Sequence, residues 1–158
     1  MCAAVGEELR EGLGERPPHS GSIVRRMDAA TAALADLTEI SSQIEAAAVV
    51  GADGAVVAET PEGDGERLAR TGIALLDAAE EDFGGRRSVT RLEVALREGS
   101  VFALRREELR IVARTGAGPA SGLVLYDLDA CLQAVAAVQS APKPRRRTTK
   151  KTEPTADA

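Results

Sequence analysis

Aromatic residues are almost missing from this chain: its 158 residues include no Trp, one Tyr and two Phe. A core must therefore be built from Ala, Val, Leu and Ile, the bulk of a 44% hydrophobic fraction, and platforms for stacking bases or sugars are not expected. The single histidine, His19, stands in Pro17-Pro18-His19-Ser20, where nothing positions it as a base or a ligand. Two cysteines, Cys2 and Cys131, are too few for a zinc finger or a disulfide scaffold and read as free thiols of a reducing cytoplasm, Cys131 as a small core residue. No GxxxxGK[ST] sequence is present, and Gly63-Asp64-Gly65 reads as a loop and not a phosphate cradle, so the chain is not expected to hydrolyse GTP itself. No apolar run approaches about 20 residues, so no transmembrane segment is expected. The first ten residues lack the basic and apolar regions of a signal peptide. No catalytic constellation stands out, and neither a metal nor a cofactor is expected.

What is present is a division of charge. Residues 139–158 carry Lys143, Arg145, Arg146, Arg147, Lys150 and Lys151 against only Glu153 and Asp157. That segment is +4, so with a total of −5 the preceding 138 residues stand at −9. An acidic body with a basic, apolar-free tail predicts one folded domain followed by disordered chain. The tail offers weak, salt-sensitive contact with nucleic acid or anionic lipid, but no aromatics lie beside its cations for base stacking. A solubilising tail is the simpler reading.

The length allows one domain plus tails. Residues 1–27 read as a flexible leader, interrupted by Gly6, Gly12, Gly14, Pro17, Pro18 and Gly21. Met27 stands just before the first patterned segment and is an alternative start. Ala30, Ala33, Leu34, Leu37, Ile40 and Ile44 then recur at helical steps and predict a helix over 28–42 with Asp28 as its N-cap. Two small apolar runs, 46–50 and 55–58, flank Asp53-Gly54 and predict an antiparallel hairpin covered on both faces. A second helix is expected over about 64–83, ended by Gly84-Gly85. Period-two alternation in Arg91-Leu92-Glu93-Val94-Ala95-Leu96-Arg97, a turn at Glu98-Gly99, and the runs 101–105 and 110–114 predict a three-stranded meander. A last helix is expected over about 120–138, with Tyr126 at the sheet edge. The order α-β-β-α-β-β-β-α predicts an α+β domain over 28–138, a five-stranded antiparallel sheet sandwiched by helices.

That order resembles the roadblock family, the dynein light-chain-like domains. Three stretches carry the resemblance: Leu34-Ala35-Asp36-Leu37 running into the Asp53-Gly54 hairpin, the turn and strand from Arg97 to Leu104, and Gly122-Leu123-Val124-Leu125-Tyr126-Asp127-Leu128, similar to the final helix of bacterial members. About 110 residues are covered. The leader and the basic tail fall outside the pattern. The resemblance implies a non-catalytic protein that pairs with itself or a paralogous roadblock protein through its second helix and third strand. In the bacterial branch it implies work with a small Ras-like GTPase, as regulator or scaffold.

On the second helix, Leu68, Gly72, Leu75, Leu76, Ala79 and Phe83 form a stripe broad enough to meet two surfaces. One reading makes it a dimer seam; the other turns all six onto the chain's own sheet. Arg91, Glu93 and Arg97, on one face of the third strand, are candidates for the dimer junction, for contact with a GTPase or for simple solvation. Arg67 and Arg70 are candidates for contact with a GTPase. The competing function is a nucleic-acid-associated dimer acting through the basic tail.

Overall fold

A computed structural model describes residues 20–140. Residues 1–19 of the leader, with Cys2 and His19, and residues 141–158 of the basic tail lie outside the described residues; residues 20–27 of the expected leader belong to α1. Three helices and five strands follow in the expected order: α1 (Ser20–Ile40), β1 (Ile44–Val50), β2 (Val56–Thr60), α2 (Gly65–Asp82), β3 (Arg91–Ala95), β4 (Ser100–Arg106), β5 (Leu109–Thr115) and α3 (Ser121–Ser140). All five strands form one sheet in the order β2-β1-β5-β4-β3, every neighbouring pair antiparallel.

The two faces of the sheet are covered unequally. On one, α1 and α3 lie side by side over Val49, Phe102, Leu104, Ile111 and Ala113, contributing Leu34, Leu37, Val124, Leu128, Leu132 and Val135. On the other, α2 lies alone. Its Leu68 and Leu76 pack with Ala46, Ala48, Ala103 and Val112. Three of those four strand residues are alanine, which lets the α2 backbone come close to the sheet.

Helix α1 begins at Ser20, eight residues before the expected start, so Asp28 is not its cap but an exposed residue inside it. The pattern missed these two turns because Ile23, Val24 and Met27 there are exposed at 54%, 53% and 47% and follow no buried stripe. The first hairpin is wider than a two-residue turn. Gly51 N–H donates to the Ala55 carbonyl at 2.9 Å, and Gly54, at φ 82°, supplies the left-handed residue inside. The turn between β3 and β4 is centred on Arg97-Glu98 and not on Glu98-Gly99: Leu96 N–H donates to the Gly99 carbonyl at 2.8 Å. Gly99 follows the turn because a Cβ there would overlap the Thr115 carbonyl oxygen.

The expectation about apolar length needs correcting for α3. Ser121–Val138 is an 18-residue window of mean hydropathy 1.4, long and apolar enough by length and composition to cross a membrane. Its charges are only Asp127 and Asp129, which an unbroken-run criterion overweights. In this fold it is a core helix, with Val124, Leu128, Cys131, Leu132 and Val135 buried against sheet and α1. Tyr126 is 72% exposed and lies not at the sheet edge but beside Leu37 and Ile40, over a groove between α1 and α3 of about 270 Å³.

Candidate functional site

Helix α2 owes its position to contacts at its start, its middle and its end. Glu59 on β2 caps its start: Gly65 N–H donates to Glu59 Oε2 at 2.5 Å and Gly63 N–H to Oε1 at 2.9 Å. A carboxylate there also meets the positive end of the helix dipole. Asp64, the residue at the N-cap position, makes no capping bond and instead pairs with Arg67 at 2.6 Å. That guanidinium holds the Asp64 carboxyl below its ordinary value. Midway, Gly72 sits on Val112, whose methyl groups occupy the space a Cβ would need. Near the end, Glu80 accepts from the buried Arg105 guanidinium and, at 2.9 Å, from Val89 N–H.

With α2 so placed, its six-residue stripe divides. Leu68, Gly72 and Leu76 are buried against the sheet; Leu75 and Ala79 are half-buried along one flank; Phe83, just past the last turn, is 69% exposed. The reading that turns all six onto the chain's own sheet thus holds for only part of the stripe. Arg67 and Arg70 are exposed, Arg67 engaged with Asp64 and Arg70 lining a groove with Gly54, Ala55, Val56 and Ile73.

One helix does not cover this face of the sheet. Leu92 and Val94 on β3 and Val101 on β4 point to the same side as α2, because they pair in register with Ala103, Val101 and Arg114 in turn, and all three stay half-buried. Leu96, just after β3, is 64% exposed. β3 is an outer strand of the sheet, so one row of its backbone groups has no strand partner among the described residues. The period-two pattern turns Leu92, Val94 and Leu96 inward, but Leu96 is exposed and the other two end at an open flank; the sheet order, which no local pattern carries, decides that. Arg91 and Glu93 are exposed on the opposite face of β3, in register with Leu104 and Phe102. Glu93 Oε1 accepts from Ser121 Oγ at 2.7 Å at the start of α3.

Known structures match this arrangement. A roadblock/LC7 domain from Streptomyces avermitilis shares 15% identity and superposes with a TM-score of 0.59, over 68% of this chain and 94% of that one. This chain has the roadblock fold. MglB from Myxococcus xanthus matches with a TM-score of 0.58 at 14% identity, over 69% of this chain and 93% of that one. The gliding protein MglB from Thermus thermophilus matches with a TM-score of 0.59 at 13% identity, over 77% and 93%. No family model matches the sequence, and no curated protein matches it. Under 20% identity, what these roadblock structures share with the chain is the path of the backbone.

Within the described residues no group of three or more His, Cys, Asp or Glu is arranged to hold a metal. The one described thiol, Cys131, is 5% exposed, and burial pushes its pKa up to about 12, with Asp36 adding to the effect. At pH 8 the thiolate is then only about one part in ten thousand. A chain carrying Cys2→Ser is expected to resist thiol reagents at pH 8 while folded and to react fully in denaturant, read by absorbance of the released thiolate. Rapid native labelling would contradict the burial.

Proposed function

We propose that this chain is a non-catalytic regulator or scaffold, working in the cytoplasm as a homodimer or with a paralogous roadblock protein, that binds a small Ras-like GTPase or its signalling complex. The observation that carries the reading is the uneven sheet: one face closed by two helices, the other by α2 alone, with Leu92, Val94 and Val101 half-buried beside an outer strand. A second α2 would close that flank, and a second β3 would satisfy the edge. The roadblock fold and the sequence resemblance to bacterial roadblock members support the same assembly and the GTPase as partner.

In this reading Leu75, Ala79 and Phe83 join Leu92 and Val94 at the seam, while Leu68, Gly72 and Leu76 hold α2 to its own sheet. Arg67 and Arg70, exposed on α2, face the partner protein. A rigid pair of helices that binds one nucleotide state of the GTPase better than the other shifts its population toward that state.

The test has two parts. Sedimentation at micromolar concentration is expected to give a dimer, and Leu75→Asp to weaken it about 100-fold or more, because a charge would be buried without a partner. Leu75 is the position to use: Leu76 is 0% exposed, and a charge there would unfold the protomer. Co-purification with a Ras-like GTPase loaded with GDP or a GTP analogue is expected to favour one state, with Arg70→Glu weakening it about tenfold and leaving the dimer intact. Wild-type chain that binds neither state removes the GTPase from the proposal.

A further inference from the structure

Strand β3 carries opposite charges two residues apart, and we propose that two copies of the chain pair through it with Leu92 on the two-fold axis, Arg91 of each copy lying opposite the partner's Glu93. The inference rests on the dimer reading above and adds to it the register.

Backbone hydrogen bonding limits the choices first. Arg105 N–H donates to the Thr90 carbonyl at 2.9 Å and Leu96 N–H to the Gly99 carbonyl at 2.8 Å. Both pairs fall on the same register as Leu92 with Ala103 and Val94 with Val101. In an antiparallel ladder the bonded pairs alternate. Thr90, Leu92, Val94 and Leu96 therefore direct their N–H and C=O groups toward β4, and Arg91, Glu93 and Ala95 direct theirs outward. A second β3 can bond only to that outward row, so residues of the outward set must face one another across the axis. Registers with the axis between two residues put outward groups against inward ones and are excluded.

Charge decides among those that remain. An axis at Arg91 sets Arg91 against the partner's Arg91. An axis at Glu93 sets Glu93 against the partner's Glu93. An axis at Val94 sets Arg91 against the partner's Arg97. Like charges directly opposite in a sheet are destabilising. An axis at Ala95 would run the pairing through the Arg97-Glu98 turn to Gly99, and an axis at Thr90 would need the outward Val89 N–H, which already donates to Glu80. With the axis at Leu92, the two Arg91–Glu93 pairs are both favourable. Arg91 makes no ion pair within its own chain among the described residues, and Glu93 has Oε2 free while Oε1 accepts from Ser121. On the other face of the sheet Leu92 meets the partner's Leu92, and Val94 meets the partner's Thr90, on the flank that α2 leaves half-covered.

The register is read by disulfide trapping. In a background of Cys2→Ser and Cys131→Ala, Leu92→Cys, Glu93→Cys and Val94→Cys are oxidised under the same mild conditions. A non-hydrogen-bonded pair on the axis has Cα atoms about 4.5 Å apart, within disulfide range, whereas residues one step off the axis lie more than about 7 Å from their own copies. Leu92→Cys is expected to cross-link at least about tenfold faster than the other two. Faster trapping through Glu93→Cys or Val94→Cys overturns the register and leaves a β3 dimer standing. No trapping in any variant overturns the register; if the unsubstituted chain also sediments as single subunits, the dimer reading fails with it. Charge exchange is the second readout. Arg91→Glu alone is expected to weaken the dimer about tenfold, and Arg91→Glu with Glu93→Arg to restore it to within about threefold. An equal loss in the single and double variants overturns the pairing.

Discussion

Gly72→Ala is expected to destabilise this protein although alanine is the better helix former. In an exposed helix interior the exchange would stabilise by about 1 kcal/mol. Here the added Cβ would overlap the Cγ atoms of Val112, which is 0% exposed and sits at the centre of the α2 side of the sheet. Those methyl groups are hemmed by Ala46, Ala48 and Ala103, so α2 must lift or the valine must leave its rotamer. Overpacking of this kind costs about 1–3 kcal/mol, and the net loss after the gain in helix propensity is expected at up to about 2 kcal/mol. Urea denaturation at fixed protein concentration measures it. The decisive comparison is a double-mutant cycle: Val112→Ala alone opens a cavity, but combined with Gly72→Ala the two losses should partly cancel. Strictly additive losses would mean that the helix does not rest on that valine.

The largest single loss is expected from Glu80→Ala. Arg105 is buried to 16% side-chain exposure and Glu80 to 23%, and the Arg105 guanidinium is bonded to that carboxylate. Asp77, the next carboxylate, is 3.9 Å away and mostly exposed. Removing Glu80 leaves a buried cation with a weak second partner and strips Val89 N–H of its acceptor. Breaking a fully buried pair from one side costs about 3–5 kcal/mol, and this half-buried pair is expected to lose about 2–3 kcal/mol, still a large share of a typical domain's stability of about 5–15 kcal/mol. Glu80→Leu with Arg105→Met together should be far milder, because both desolvation penalties leave with the charges. Thermal unfolding of the three proteins separates these outcomes. If Glu80→Ala melts like the parent, the pair contributes nothing to holding α2 against β4.

How much of this was readable in advance differs from element to element. Strand β3 was legible because alternation at period two is a local signal, with Leu92 and Val94 on one side and Arg91 and Glu93 on the other; β4 and β5 were legible as short apolar runs set off by turns. Helix α2 was legible at both ends, its loop of glycines before and Gly84-Gly85 after. Helix α1 was legible only where it packs; Ile23, Val24 and Met27 lie on an exposed extension with no buried stripe to announce it. The capping of α2 by Glu59 was not legible at all, since nearer Asp64 is the better cap by residue type and only the fold of β2 brings the glutamate to Gly65. The Glu80–Arg105 pair spans 25 residues of sequence and belongs to the same class.

Composition and periodicity alone determined the kind of molecule: a core made almost wholly of aliphatic side chains and an α+β order of eight elements. These follow from residue type and nearest-neighbour spacing, which every chain carries in its own letters. Only the tertiary structure decided which half of the α2 stripe is spent on the sheet and which half is left at the flank. It alone decided that β3 is an outer strand and that its odd-numbered residues present their backbone outward. Those properties depend on β1 pairing with β5 across some sixty residues, and contacts between distant segments are selected by packing of the whole and not by any local run.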